Sequence, residues 1–343
     1  VKIESAAGDP IRRQGAMVDG HSAYFEQFNR NKRSVVLDLY SEQGKAHLTR
    51  LLRNADVVVE NYRPGVFAKM GYDTTTLKAL NPRLIVASVN GYGSSGPYAD
   101  RPSFDFIAQA MSGFMAVNGD PHGPPRRAAP PISDLLAGLY CAFGVTCALQ
   151  ARHNSGQGQN VESSLTGGLI SMLAYLSAEV LATGNNPIRT GNDHPIVAPY
   201  GLFQASDGQI AVAPSNDTYV QRFLSAIGLA SLLQESRFAD NAARMINRAE
   251  LNALIDIRTR TSTVEHWIDA INQAGCPCGR VMELDEMVAD PQVLAQQMIM
   301  ESTREGRAAI KMTGFPVKLS LNPCELRRPA PTLGEHNDEI LGI

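Results

Sequence analysis

The stretch PPISDLLAGLY, residues 130–140, sets a single carboxylate, Asp134, between two prolines and fifteen downstream residues that are all apolar or small. Two kinds of chemistry suit an aspartate in that setting. As a helix cap, its oxygen accepts one of the orphan N–H groups at a helix start, where the helix dipole also favours negative charge. As a reactive group, the same partly desolvated carboxylate beside backbone donors is a usable nucleophile. Both readings place Asp134 at the start of a helix.

Three other clusters have residue types fit for chemistry. Asn61-Tyr62-Arg63-Pro64-Gly65 directly follows an apolar run that ends at Glu60. In open α/β sheets, ligands sit beyond the carboxyl ends of strands, so Arg63 and the nearby Lys69 are where an anionic ligand would be met. Gly191-Asn192-Asp193-His194-Pro195 is a polar loop at a change of sequence texture, and its His194 is a possible acid–base group. Arg189 and His194 together hint at a dicarboxylate acceptor such as succinate. Gly91-Tyr92-Gly93-Ser94-Ser95-Gly96 matches the glycine spacing of a dinucleotide site. That reading fails because residues 97–102, which begin and end in proline, replace the helix turn that would hold a pyrophosphate.

The elements needed to position these groups read as alternating strands and helices. Residues 34–39 and 83–89 are strand-like, and 56–60 are almost wholly apolar, as in a strand buried on both faces. Helices are expected over 42–54 and around 74–80, which makes βα units and a parallel sheet. Further helices are expected over 104–117, 134–153 and 165–183, the second of them apolar on every side and therefore buried. Residues 201–205 and 209–213 flank Ser206-Asp207-Gly208 as a hairpin, and 264–274 form a helix around the single tryptophan, Trp267. The tail from 311 is extended and rich in proline. The expected organisation is a large α/β domain over 1–195 and a smaller α+β domain over 200–310.

Length and composition bound the function class. The 343 residues, 44% hydrophobic and 19% charged, are those of a folded globular protein large enough for two domains. A net charge of −3 offers no cationic field for nucleic acid. Cys141, Cys147, Cys276, Cys278 and Cys324 lack zinc-ligand spacing, so no metal site is expected, and they read as reduced thiols of a cytoplasmic protein. No run of about 18 unbroken apolar residues occurs, so no membrane-spanning helix is expected. The opening VKIE, with no Met and no leader pattern, reads as the middle of a strand.

Eight segments together carry a resemblance: NKRSVVLDL, DVVVENYRPGVFAKMGYD, LNPRLIVASVNGYGSSGPYADRPSFDFIAQAMSG, PISDLLAGLY, GQGQNVESSL, GNDHPIVAPYGLF, AGCPCGRV and LGEHNDEIL. Their order and spacing resemble those of the family III CoA-transferases, the group of formyl-CoA transferase and carnitine CoA-transferase. The resemblance covers essentially the whole chain. It implies an α/β fold with a Rossmann-like, CoA-binding large domain over 1–195 that the returning tail 311–343 completes, a smaller domain, and a homodimer of two interlocked subunits. It implies that Asp134 is the nucleophile and that coenzyme A, as acyl-CoA substrate, contacts Leu37, Asp38, Leu39, Tyr40, Asn61, Tyr62, Arg63, Lys69, Arg101 and Asp105. A loop that closes over the site falls on Gly191, Asn192 and His194, although the family's run of glycines is absent here. Family members also carry about one further βα unit before the segment matching Val1, so the resemblance implies a fragment or a chain lacking part of the site.

The implied activity moves CoA from an acyl-CoA donor to a carboxylic acid through an aspartyl-CoA thioester, by covalent catalysis that calls for no metal. The nearest alternative is the α-methylacyl-CoA racemase branch of the same family, which moves an α-proton with a His and Asp pair; this chain has Gly167 and Gly168 in the part where that branch carries its Asp. A non-catalytic acyl-CoA-binding protein is the alternative from another class. Should Asp134 not be the nucleophile, Glu162 is the fallback.

Overall fold

Apolar β-branched residues at 35 and 36 form the strand Ser34–Val36, which pairs in parallel with Lys2–Glu4 in the register Ile3↔Val35. Val35 and Leu37 are buried against Leu341 of the closing helix Asn337–Leu341. Ser41 caps the helix Glu42–Asn54 by accepting the Gly44 N–H at 3.0 Å, and Gly44, Leu48 and Leu52 line its buried face at four-residue spacing. Glycine is required at 44: a Cβ there would lie 1.8 Å from the Asp38 carbonyl oxygen. The strand Val57–Glu60, the helices Val66–Lys69 and Thr74–Leu80, and the strand Ile85–Asn90 follow. Ile85–Asn90 is the centre of a three-stranded sheet, flanked by Val57–Glu60 and Asn160–Ser164.

The structure, a computed structural model, describes residues 1–342. These strands belong chiefly to one of two compact units, formed by Val1–Ala87, Val145–Val161 and the segment from Glu283 onward. Its core is Leu48, Leu52, Met70, Tyr72, Leu77 and Leu84. The proline-rich tail leaves the hairpin Ile299–Ser302/Ile310–Thr313 and runs without regular structure to the closing helix. Val57–Glu60 is less covered than its composition suggests, with Val59 62% exposed. Val59 is the exposed residue of this short strand, and Val57, Val58 and Glu60 are half-buried.

The second unit comprises Ser88–Gly144 and Glu162–Met282. The helix expected over 104–117 is two, Asp105–Met111 and Phe114–Val117, because Gly113 adopts φ +85° between them. The helix expected over 165–183 is also two, Leu165–Met172 and Ala174–Thr183, bent by 80° where Ala174 takes φ +48°. Ala108, Ala137, Leu165 and Leu169 form one core. A larger core gathers Phe203, Phe223, Phe238 and Trp267 behind the hairpin Gly201–Gln204/Gln209–Val212, which Cys278–Arg280 extends as a third antiparallel strand.

The helix expected over 134–153 spans Ile132–Ser155, 24 residues. It is covered along one stripe, where Ser133, Ala137, Cys141, Ala148 and Arg152 are buried. Leu135, Leu139 and Phe143 are exposed, so it is not buried on every side. Its few polar residues are small or lie near its ends, and by length and composition it is long and apolar enough to cross a membrane, against the expectation of none.

Candidate active site

Asp134 sits in the first turn of Ile132–Ser155, two residues inside the helix start and not at its cap. The capping role falls to Asp105 at the start of the neighbouring helix. Asp105 is buried, and its Oδ1 accepts both the Ser133 backbone N–H at 3.0 Å and the Ser133 hydroxyl at 2.9 Å. Its Oδ2 accepts from the Gln109 side-chain amide at 2.8 Å. Each contact is a donation into the carboxylate, as suits an ionised group.

This arrangement leaves the carboxylate of Asp134 without a hydrogen-bond partner among the described residues. Desolvation by the packed first turn pushes its carboxyl above the ordinary range, and the Asp105 carboxylate pushes it further in the same direction. The side chain still reaches solvent. An accessible, unpartnered carboxylate of raised basicity is a better nucleophile than an ordinary one.

In the first unit, the residues expected to meet CoA follow the carboxyl ends of two strands. Leu37 is buried in the core, whereas Asp38 and Tyr40 are exposed and Leu39 is half-buried. Asp38 Oδ1 accepts the Tyr40 N–H at 3.0 Å, and the Asp38 carbonyl accepts from Ser41, fixing the turn. Asn61, Tyr62 and Arg63 leave the end of Val57–Glu60 and are all exposed. The Tyr62 ring stacks on Phe67 at 6.4 Å, and its phenol is pushed up by burial and then by Tyr40 and Glu60 nearby. Tyr40 and Tyr62 are therefore brought together. Arg63 and Lys69 are exposed, and neither has an ion-pair partner among the described residues.

In the second unit, Arg101 is exposed and its guanidinium lies 3.9 Å from the centre of the Tyr98 ring. The glycines of 91–96 form a tight loop without a phosphate-binding helix: Gly93 and Gly96 adopt φ +97° and +91°, and a Cβ on Gly91 would meet Ser103 at 2.4 Å. Glu162 accepts the Ser94 N–H at 2.7 Å across this loop.

The loop at Gly191, Asn192 and His194 is pinned. Arg189 donates to the carbonyls of Ala116, Asp120 and Gly123, which makes it a loop staple and not a free reader of an acceptor acid. The Gly191, Asp193 and His194 N–H groups are bonded to the carbonyls of Gly119, Thr190 and Tyr200. The His194 ring lies between Tyr175 at 5.9 Å and Tyr200 at 4.8 Å. Its Nδ1 accepts the Ile196 N–H at 3.3 Å, which puts the proton of the neutral ring on Nε2. Burial, and then Arg248, lower its pKa.

Other clusters carry less chemistry. Burial pushes the thiols of Cys276 and Cys278 up to about 11 and about 12, values that suit inert core thiols. Among the described residues, no group of three or more His, Cys, Asp or Glu is placed to hold a metal ion. Clefts of about 480 Å³ at Asp217, Tyr219 and Arg222, and at Arg33, Cys324 and Arg328, contain none of the residues expected to meet substrate or to react. Ser133 and Gln109 were missed as parts of the site. Gln109 did leave a signal, as a long amide within the apolar pattern of FIAQAM.

Comparison with known proteins gives this arrangement its context. The profile of CoA-transferase family III matches residues 1–337. The succinate–glutarate CoA-transferase of Agrobacterium fabrum is 35% identical over 349 residues, covering 99% of this chain and 87% of that one. The acetyl-CoA:oxalate CoA-transferase of Acetobacter aceti is 38% identical over 338 residues, covering 98% and 86%. The crystal structure of a CaiB/BaiF family protein from Brucella suis matches with a TM-score of 0.87 at 34% identity, over 99% of this chain and 90% of that one. A mixed α/β chain with parallel pairing, matched along almost its whole length by these relatives, belongs to CoA-transferase family III and is an acyl-CoA:carboxylate CoA-transferase.

Proposed function

We propose that Asp134 carries CoA between the two acids as a covalent thioester. One Asp134 oxygen attacks the thioester carbonyl of the donor, the C–S bond breaks, and a mixed anhydride and CoA thiolate result. The thiolate then attacks the aspartyl carbonyl. That step expels the donor acid as its carboxylate and leaves an Asp134–CoA thioester. The acceptor carboxylate attacks this thioester, the thiolate leaves once more, and its return to the acceptor's carbonyl frees Asp134. Bond energy is retained throughout, and every step uses a carboxylate or thiolate as nucleophile.

The observation that carries this reading is the unpartnered, accessible Asp134 carboxylate with its raised pKa. CoA itself is assigned to the strand-end residues. The exposed Tyr62 ring suits a purine base, and Arg63 and Lys69, which form no ion pair among the described residues, suit phosphates, with Asp38, Leu39, Tyr40 and Asn61 shaping the surroundings. The acceptor is taken to be a dicarboxylate, because the two relatives described above are named for glutarate and oxalate. The protein is taken to work as a cytoplasmic homodimer. An exposed apolar stripe at Leu135, Leu139 and Phe143, spaced by four residues on one helix, suits a second copy as its cover.

The deciding experiment incubates the protein with succinyl-CoA and isotopically labelled glutarate or oxalate. Label in the CoA-ester pool is expected. Hydrolysis without label transfer would overturn the proposal.

A further inference from the structure

We infer that Gln109 is a positioning residue for Asp134, acting through a buried chain of hydrogen bonds that holds Asp105 beneath the first turn of Ile132–Ser155. The inference rests on Asp134 being the nucleophile.

Gln109 is fully buried in the helix Asp105–Met111. Its Oε1 accepts the Ala128 backbone N–H at 2.8 Å. Its Nε2 donates to Asp105 Oδ2 at 2.8 Å and, more weakly, to the Ala128 carbonyl at 3.4 Å. The partners settle the amide's orientation, since only the NH₂ end can meet a carboxylate and only the oxygen can meet an N–H. Both ends of the side chain are thereby satisfied. Burying a primary amide among apolar residues is costly unless every polar atom finds a partner, so core packing alone would favour Leu or Met here.

The bonds form one line from Ala128 through Gln109 and Asp105 to Ser133, the residue next to Asp134. Gln109 pins the segment entering the helix at Ala128 and the carboxylate that caps the helix at Ser133. It takes one oxygen of Asp105 while Ser133 takes the other, which stops the carboxylate from rotating. Asp105 is the charged group that acts on Asp134, and Gln109 and Ser133 in the same network are uncharged. The orientation of Asp105 therefore sets both the backbone position of Asp134 and the field at its carboxylate. A displacement of about 1 Å at a reacting group can cost on the order of a hundredfold in rate.

The test is Gln109→Met, which keeps the volume and removes both hydrogen-bonding ends, with kcat and KM for succinyl-CoA followed across pH beside thermal unfolding. The expected result is a kcat lower by on the order of tenfold, a nearly unchanged KM, and an acid limb of the kcat profile displaced to lower pH as the grip on the Asp105 charge loosens. A loss of activity that tracks only the unfolded fraction, with the acid limb unmoved, would overturn the inference. If Gln109→Met does not fold, Gln109→Asn, one methylene shorter and still an amide, is read the same way: a lowered kcat with the acid limb displaced to lower pH supports the inference, and a parental profile overturns it. Asp134→Asn separates the two levels. Transfer that survives Asp134→Asn defeats the nucleophile assignment, whereas an inactive Asp134→Asn beside a wild-type profile for Gln109→Met defeats the positioning role alone.

Discussion

Asp105 accepts both hydrogen bonds that Ser133 offers, the backbone N–H at 3.0 Å and the hydroxyl at 2.9 Å, from 28 positions earlier in the chain. The cap of the long helix is therefore supplied by another helix. That arrangement frees the next residue, Asp134, from satisfying backbone donors. It also sets a second carboxylate close enough to raise the basicity of the first.

Replacing Ser133 by Ala removes the hydroxyl and keeps the N–H donor. The Ser133 site is fully buried, so the lost bond leaves Asp105 Oδ1 with one donor fewer. A loss of about 1–2 kcal/mol in unfolding free energy is expected by urea titration, with the m-value unchanged. A variant as stable as the parent would show that the hydroxyl contributes nothing.

The raised carboxyl of Asp134 has a defined sign in both stability and rate. An acid whose folded pKa lies above its unfolded value holds more protons when folded, so its contribution to stability falls as pH rises through that interval. Asp134→Asn should then be at least as stable as the parent at neutral pH, the difference closing below the unfolded carboxyl range near pH ~4. The rate runs the other way, because only the carboxylate attacks. Transfer should decline on acidification at a pH above the ordinary aspartate range, as followed by kcat against pH. A limb at or below that range would contradict the raised pKa.

Much of the first unit was legible in the local pattern. The helices expected over 42–54 and around 74–80 have those bounds in the structure, and Leu48 and Leu52 lie on the buried face of the first. The breaks at Gly113 and Ala174 were not legible, since FMAV and AYLS continue the helical periodicity across them. Asp134 was singled out by its residue type and by the family resemblance, but the start of its helix was misjudged by two residues. Proline is tolerated where a helix begins, so PPIS starts the helix before the aspartate. The partner that makes this possible, Asp105, lies in another helix, and no periodicity reports such a contact. The apolar run after Asp134 signals burial without saying what covers it, and in the single chain Leu139 and Phe143 remain exposed.

Arg63 and Lys69 should bind phosphates as exposed, unpaired charges. Lys69→Ala and Arg63→Ala are each expected to raise KM for acyl-CoA by several-fold at low salt, about 1 kcal/mol. The difference should shrink at high ionic strength, while kcat stays near that of the parent. An affinity for CoA that is insensitive to both substitutions at every salt concentration would move the binding site elsewhere.

Association should depend on the apolar stripe of the long helix. Leu139 and Phe143 are 63% and 67% exposed, and with Leu135 they make a contiguous apolar stripe of the kind that marks an association surface. The protein is expected to sediment as a dimer at micromolar concentration, and Phe143→Asp to shift it toward monomer with loss of thermal stability. A parent protein that sediments as a monomer would refute the homodimer.

Asp134→Asn is the sharpest test of the chemistry. The amide is nearly isosteric with the carboxylate, and Asp134 makes no hydrogen bond among the described residues, so the fold has nothing to lose from the change. CoA affinity should be kept as well, because the cations assigned to its phosphates, Arg63 and Lys69, are untouched. Transfer should nonetheless fall by several orders of magnitude, since an amide oxygen is far too weak a nucleophile to open a thioester. In the parent, hydroxylamine added during turnover should convert the Asp134 side chain to a hydroxamate, detectable by peptide mass. Glu162 should stay unmodified, its carboxylate being engaged by the Ser94 N–H. Modification at Glu162 with Asp134 untouched, or an Asp134→Asn variant that transfers CoA at the parental rate, would assign the covalent step to another residue.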